Sequence, residues 1–162
     1  MTTFAVTGHM DLTDDTVPLV ADALRELLSA YAPDDLVGVS CIAEGADALF
    51  AQAVLAVGGR LVLVIPSRDY RARKVSPEFA ATFDGLVEAA HEVVTMPVDR
   101  AGREAYEAAG KELLQRADRL VAVWDGRPGG QGGTAHTVEA ARAAQLPVDV
   151  IWPAGAARRS AS

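Results

Sequence analysis

Short runs of aliphatic and β-branched residues recur along the chain at 4–7, 36–40, 61–65, 92–95, 119–124 and 148–151, the fourth being the weakest. Between them the apolar residues change to helical spacing. Val17, Val20, Leu24, Leu27, Leu28 and Tyr31 form one face, and Ala46, Leu49, Phe50, Ala53, Val54 and Val57 another. Tyr106, Ala109, Leu113, Leu114 and Ala117 form a later face, and Ala135, Val138, Ala141 and Ala144 the last. Strand followed by helix, repeated, requires right-handed crossovers and therefore a parallel sheet. The expected fold is a single doubly wound, mostly parallel Rossmann-like α/β sheet with helices on both faces.

Local signals set the boundaries. Residues 13–16 (Thr-Asp-Asp-Thr) supply N-cap candidates with Pro18 in the first turn, and Gly58-Gly59 closes the second helix. Leu146-Pro147 is expected to stop the final helix. Residues 67–77 read as an irregular charged loop closed by a proline. Residues 1–154 are expected to form the domain, and 155–162 a flexible tail.

At 162 residues the chain fits one domain with a sizeable core. Half of it is apolar but only 6% is aromatic, so Val, Leu, Ile and Ala must build that core. The lone Cys41 cannot form an internal disulfide, and the start of the chain lacks a charged signal region, which together suggest a reducing cytoplasm. No apolar run approaches a membrane span, so no membrane partner is expected. The net charge of −7 argues against a broad nucleic-acid surface, and the expectation is no nucleic-acid partner. A small phosphate ligand remains compatible with this charge if backbone N–H groups and helix dipoles hold it locally.

Ligands of open parallel sheets bind at the carboxyl ends of the strands, where the strand order reverses. Three loops with small residues emerge there: Thr7-Gly8-His9, Ser40-Cys41-Ile42-Ala43-Glu44-Gly45-Ala46-Asp47, and Trp124-Asp125-Gly126-Arg127-Pro128-Gly129-Gly130-Gln131-Gly132-Gly133-Thr134. The third gathers five of the 14 glycines between a strand and a helix, the arrangement of a phosphate cradle. Convergence of all three on one edge makes a concave site the expected outcome.

The second loop resembles the S-G-x-A-x-G-x-D segment of DprA-type proteins, with Cys41 where that family has glycine. The third resembles the P-G-G-x-G-T loop of the LOG (Lonely Guy) family, with one extra glycine before Thr134. Both families belong to the SLOG superfamily of Rossmann-like nucleotide binders, and the resemblance covers roughly residues 4–151. It implies a nucleotide or nucleotide-derived ligand, such as a nucleoside monophosphate or an ADP-ribose-like molecule, and nominates Gly8, Ala43, Gly45, Asp47, Gly130, Gly132, Gly133 and Thr134 as its binding residues. It also implies a homo-oligomer. LOG enzymes split the base from the ribose phosphate and carry a glutamate three residues beyond the loop threonine; Thr137 stands there in this chain. Glu139, the nearest carboxylate, lies about 160° around the helix from that direction.

Each remaining candidate has two readings. His9 is either a donor to phosphate or ribose, or a loop residue bonded to nearby backbone. Glu44 and Asp47 either cap the second helix or accept from ribose hydroxyls, with capping favoured for Asp47 and a ribose contact for Glu44. Asp125 is an Asx-turn residue or a ligand contact. Ser40 and Thr7 complete the expected lining. Arg68, Arg71, Arg73 and Lys74 are a solvated loop, or a flap whose Arg68 or Arg71 clamps a phosphate while Asp69-Tyr70 stacks on base or ribose. The histidines and Cys41 show no metal-ligand spacing, so no metal is expected.

The favoured reading is a nucleotide-binding or sensing module that needs no cofactor beyond the nucleotide itself and is not an enzyme. The enzyme alternative is a nucleoside 5′-monophosphate phosphoribohydrolase using Glu44 or Glu139, with Asp47 a further carboxylate candidate. The remaining alternative is an interaction protein with a vestigial pocket.

Overall fold

The computed structural model describes residues 1–129 and 133–159. Its elements, in chain order, are β1 (Thr2–Gly8), α1 (Thr16–Ser29), β2 (Leu36–Ser40), α2 (Ala46–Ala56), β3 (Arg60–Ile65), α3 (Tyr70–Lys74), α4 (Pro77–Ala89), β4 (Glu92–Thr95), α5 (Arg103–Arg116), β5 (Arg119–Val123), α6 (Thr134–Ala143) and β6 (Val148–Ile151). The six strands form one sheet in the order β4-β3-β2-β1-β5-β6, every pair parallel. The order reverses between β1 and β5, with Gly8 opposite Val123 at the carboxyl end of the pair.

Alternation along β1 feeds two core layers. Phe4 and Val6 pack with Val20, Leu24 and Leu28 of α1, Phe50 and Val54 of α2, and Phe79, Phe83 and Leu86 of α4. Ala5 faces the other way, with Leu120 and Ala122 of β5, Ala109 and Leu113 of α5, and Val138 and Ala141 of α6. Both faces of the central strands are therefore covered, as their near-continuous apolar runs require. β4 is an edge strand with Val93 exposed, which accounts for its weak pattern.

Several local expectations meet a different structure. The charged stretch from residue 67 is not wholly irregular, because it contains α3, and Ser76 then caps α4 by accepting from the Phe79 N–H at 3.2 Å. Helix α6 ends at Ala143, before Pro147 can act. Gln145, with φ of 61°, turns the chain through the left-handed region, and the Leu146 N–H bonds the Ala141 carbonyl. Where the sequence suggests a flexible tail from 155, Arg158 bridges Leu12 in antiparallel fashion. The Thr13 N–H donates to the Ala157 carbonyl, and the Ala157 N–H to the buried Thr16 hydroxyl. Among the described residues no helix is long and apolar enough to cross a membrane.

Candidate functional site

The crevice at the β1–β5 reversal is closed at its base by packing. A Cβ on Gly8 would stand 2.4 Å from the Ala46 Cβ and 2.8 Å from the Val123 Cβ, so glycine is what lets α2 and β5 converge here. Thr7, one residue earlier, pairs with Ala122 and is half-buried. The His9 N–H continues the ladder to the Val123 carbonyl at 3.1 Å, while its Nε2 accepts the Asp125 N–H at 3.1 Å. His9 is buried, edge-on to the Trp152 ring at 5.6 Å. Burial first, then the nearby Arg158 guanidinium, hold its pKa below the usual histidine value against the opposing pull of Asp125. With Nε2 accepting from backbone, the ring is neutral, and its 3.3 Å approach to Asp125 Oδ1 is not an ion pair. This geometry is the backbone-bonded alternative for His9 rather than a protonated donor at the mouth.

Asp125 forms an Asx turn, accepting the Arg127 N–H at 3.0 Å, and its other oxygen lies 3.7 Å from Arg158 Nη1. Burial opposes its ionisation, but the Arg127 N–H, the His9 ring and Arg158 outweigh that and hold its pKa down.

The second wall is tied to the first. The buried Ser40 hydroxyl donates to the Asp47 carbonyl at 3.0 Å and accepts from the Ile42 N–H at 3.1 Å. Ile42 holds φ at 61°, an uncommon conformation for a β-branched residue, kept in place by complete burial of its side chain. Gly45 has φ of 91°, and the next N–H, that of Ala46, reaches the His9 carbonyl at 3.2 Å. Asp47 Oδ2 accepts the Ala43 N–H at 3.3 Å, closing the turn before α2. Burial pushes the Asp47 carboxyl up to about 7, opposed by that N–H. The half-buried Cys41 thiol is raised by burial and by the Asp47 charge, which leaves it protonated and poorly nucleophilic. Glu44 is exposed and lines a cavity of about 210 Å³ with Met10, Gln52 and Phe79, on the α2–α4 side of the sheet.

On the third wall, Gly130 and Gly132 lie outside the described residues. Before them, Trp124 Nε1 donates to the Arg127 carbonyl at 2.9 Å; after them, Gly133 leads into α6 with Thr134 as its first residue. Among the described residues no side chain caps this helix start, and no carboxylate sits in its first turn. The Thr137 hydroxyl turns back on the Gly133 carbonyl, and Glu139 points to solvent. Beside that first turn, a groove of about 650 Å³ runs between α5 and α6, lined by Arg103, Tyr106, Glu107, Lys111, His136 and Thr137 among others. Sequence periodicity places Tyr106 on the apolar face of its helix, yet it is 43% exposed. The available signal was a single tyrosine on a helix whose other inward residues are alanine or leucine.

The flap residues are engaged elsewhere. Arg68 pairs with Asp99, and Arg71 grips Asp84 through Nε at 2.7 Å and Nη2 at 2.6 Å. Asp69 accepts from Ser67 and from the Ala101 N–H, while Tyr70 is buried against Phe83 rather than presented for stacking. Thr7, Gly8, His9, Ser40, Ala43, Gly45, Asp47 and Asp125 thus come together at the carboxyl ends of β1, β2 and β5. Glu44 belongs to the same loop but is exposed and lines the smaller cavity beside Gly45, while the Arg68 guanidinium pairs with Asp99 and Glu139 is exposed on α6.

No protein-family model matches this sequence, and no curated protein matches it. Solved structures do match its fold. DNA processing protein A (DprA) of Streptococcus pneumoniae superposes with a TM-score of 0.72 at 18% identity, over 96% of this chain and 52% of that one. DprA of Helicobacter pylori gives 0.68 at 15% identity, over 97% and 68%. The molybdenum cofactor carrier protein of Chlamydomonas reinhardtii gives 0.58 at 17% identity, over 92% and 75%. What the chain shares with these structures is the fold, a parallel Rossmann-like α/β sheet. The chain thus spans about half the length of the S. pneumoniae protein. One expectation falls with these neighbours. DprA of H. pylori has a single-stranded DNA binding mode, so a protein of similar fold does bind nucleic acid and the expectation of no nucleic-acid partner does not stand. What decides backbone-phosphate binding is the local distribution of cations rather than the whole-chain sum.

Proposed function

We propose that this chain is a binding module for a nucleoside phosphate, with the phosphate against the start of α6 and the base and sugar in the groove between α5 and α6. The observation that carries this reading is the continuity of that groove with the first turn of α6, through His136 and Thr137. A helix start without a cap or carboxylate favours an anion, the exposed Tyr106 ring offers a stacking surface, and Lys111 adds positive charge. Binding is favoured over hydrolysis because Glu44 and Glu139 do not line the groove, and its own carboxylate, Glu107, is paired with Arg103 at 3.3 Å.

A thermal-shift series with AMP, ADP-ribose and cyclic nucleotides tests the reading. At about 100 times its dissociation constant, a true ligand adds about 2.7 kcal/mol of stability. Tyr106→Ala and Lys111→Ala are expected to reduce the shift. If no nucleotide raises the melting temperature, the proposal fails. Release of free base from AMP, abolished by Glu107→Gln, would replace the module with a hydrolase. A single-stranded oligodeoxynucleotide belongs in the same series, since a DprA binds such a ligand.

A further inference from the structure

We propose that the Tyr70 hydroxyl is a ligand-binding group that works with the Asp47 carboxylate, the two recognising one sugar hydroxyl of the bound nucleotide at the head of the α5–α6 groove. This deepens the nucleoside-phosphate reading and rests on it. Tyr70 follows β3 and Asp47 follows β2, neighbouring strands, so both stand at the carboxyl edge of the sheet. The Tyr70 ring packs against Phe83, and only 7% of the residue is exposed. Its hydroxyl has no hydrogen-bond partner among the described residues, and among these no fully buried side-chain oxygen lacks one. The hydroxyl is therefore the part of Tyr70 that meets solvent.

The neighbours of that hydroxyl give its place. Burial first, then Asp47, Tyr106 and Cys41, push its pKa well above the ordinary tyrosine value, so it keeps its proton and lies within electrostatic reach of all three. Tyr106 lines the groove, and the segment carrying Tyr70 is tied beside the start of α5. The Arg68 N–H donates to the Val98 carbonyl at 2.9 Å, and the Ala101 N–H to Asp69 Oδ1 at 2.7 Å. Asp47 adjoins Ala46, which closes on Gly8 together with Val123, so the carboxylate lies near the strand end from which the loop to α6 departs. Its Oδ2 is held by the Ala43 N–H, while Oδ1 has no partner among the described residues.

No hydrogen bond joins the phenol to the carboxylate, so the first is left to donate and the second to accept. A ligand oxygen shared by both must accept and donate at once, which a sugar hydroxyl does and a phosphate oxygen, an acceptor alone, does not. The carboxylate also repels phosphate, which leaves that group to the start of α6; the sugar is what a nucleotide joins directly to it. Burial disfavours the Asp47 charge, and a hydroxyl donating to it offsets that cost.

Calorimetry at about pH 8, where Asp47 with its pKa of about 7 is mostly ionised, compares AMP, 2′-deoxy-AMP and 3′-deoxy-AMP on wild type, Tyr70→Phe and Asp47→Asn. Wild type is expected to favour AMP by about tenfold over the analogue lacking the recognised hydroxyl, the scale of buried polar groups left unpaired. Tyr70→Phe removes one oxygen and keeps the ring against Phe83. It is expected to weaken AMP by about fivefold and narrow the preference to about twofold. Asp47→Asn is expected to narrow it too, because an amide oxygen accepts without charge. A preference that survives Tyr70→Phe unchanged overturns the role of the phenol. Equal losses for AMP and both deoxynucleotides also overturn it, because they reveal a scaffold that has merely come loose. So does a wild type that binds all three alike, since it does not read the sugar. Wild-type protein that binds none of the three overturns both this assignment and the nucleotide reading beneath it.

Discussion

Gly45→Ala is expected to destabilise the protein by about 3–5 kcal/mol, adding the cost of an unfavourable backbone conformation to that of an overpacked contact. Gly45 holds φ at 91° and ψ at −129°, and a Cβ there would stand 2.7 Å from the Met10 Cα and 2.8 Å from the His9 carbonyl oxygen. Those are backbone atoms, so no rotamer change relieves the clash; the first loop must move away from α2. The Ala46 to His9 hydrogen bond would go with it, separating two walls of the site. Against a typical net stability of about 5–15 kcal/mol this is a large share, and a fall in melting temperature of roughly 10 °C or more should accompany it. Urea titration of purified wild type and variant measures it directly. A difference below about 1 kcal/mol would show that the loop yields freely, contrary to the packing described.

Asp47→Asn should do the opposite, by an amount that grows as pH rises from about 4 to above 7. In the folded chain the Asp47 carboxyl is pushed up to about 7, from an ordinary value of 3.8. The folded state therefore holds a proton that the unfolded state has already released across that interval. The stability this contributes is complete below the unfolded value and is lost as pH rises through about 7. Loss across the whole interval is worth up to about 4 kcal/mol at about 1.4 kcal/mol per pH unit, and water at its half-buried edge reduces that to about 2 kcal/mol. Asparagine keeps an acceptor for the Ala43 N–H without the charge. The stability difference between variant and wild type should grow from nothing near pH 4 to about 2 kcal/mol near pH 8. Taking the difference removes the acid dependence of Asp11 and Asp125, whose carboxyls are held low. A difference independent of pH would mean that Asp47 is solvated and titrates normally.

The sheet was legible because its strands are short and covered on both faces, so each reads as an isolated aliphatic run between helical patterns. Helix α4 was hidden by its neighbourhood: Phe79, Phe83 and Leu86 carry the helical spacing, but the arginines just before them read as loop. Gly8 stands out in sequence as a residue at a strand end. Its immediate reason, the approach of Ala46 and Val123, involves residues far along the chain. The same limit applies to Arg158, whose local sequence has no periodicity and whose partners Asp11 and Leu12 lie at the other end of the chain. Tyr106 was read as apolar because spacing tells which residues share a helix face, not whether a neighbouring helix covers them. The arginines of the charged stretch pair with Asp84 and Asp99, again through contacts no sequence window contains.

Placing β1 at the centre of the sheet also sets a timetable for synthesis. Its partner β2 follows soon after, but Phe4–Gly8 finds its second neighbour only when residues 119–123 of β5 have been made. At about 5–20 residues per second, roughly a hundred intervening residues take on the order of ten seconds. Throughout that interval the apolar middle of the protein has an open strand edge, the feature that most readily recruits another chain. A nascent chain stalled before β5 is therefore the form most exposed to aggregation, and each completed molecule passes through it.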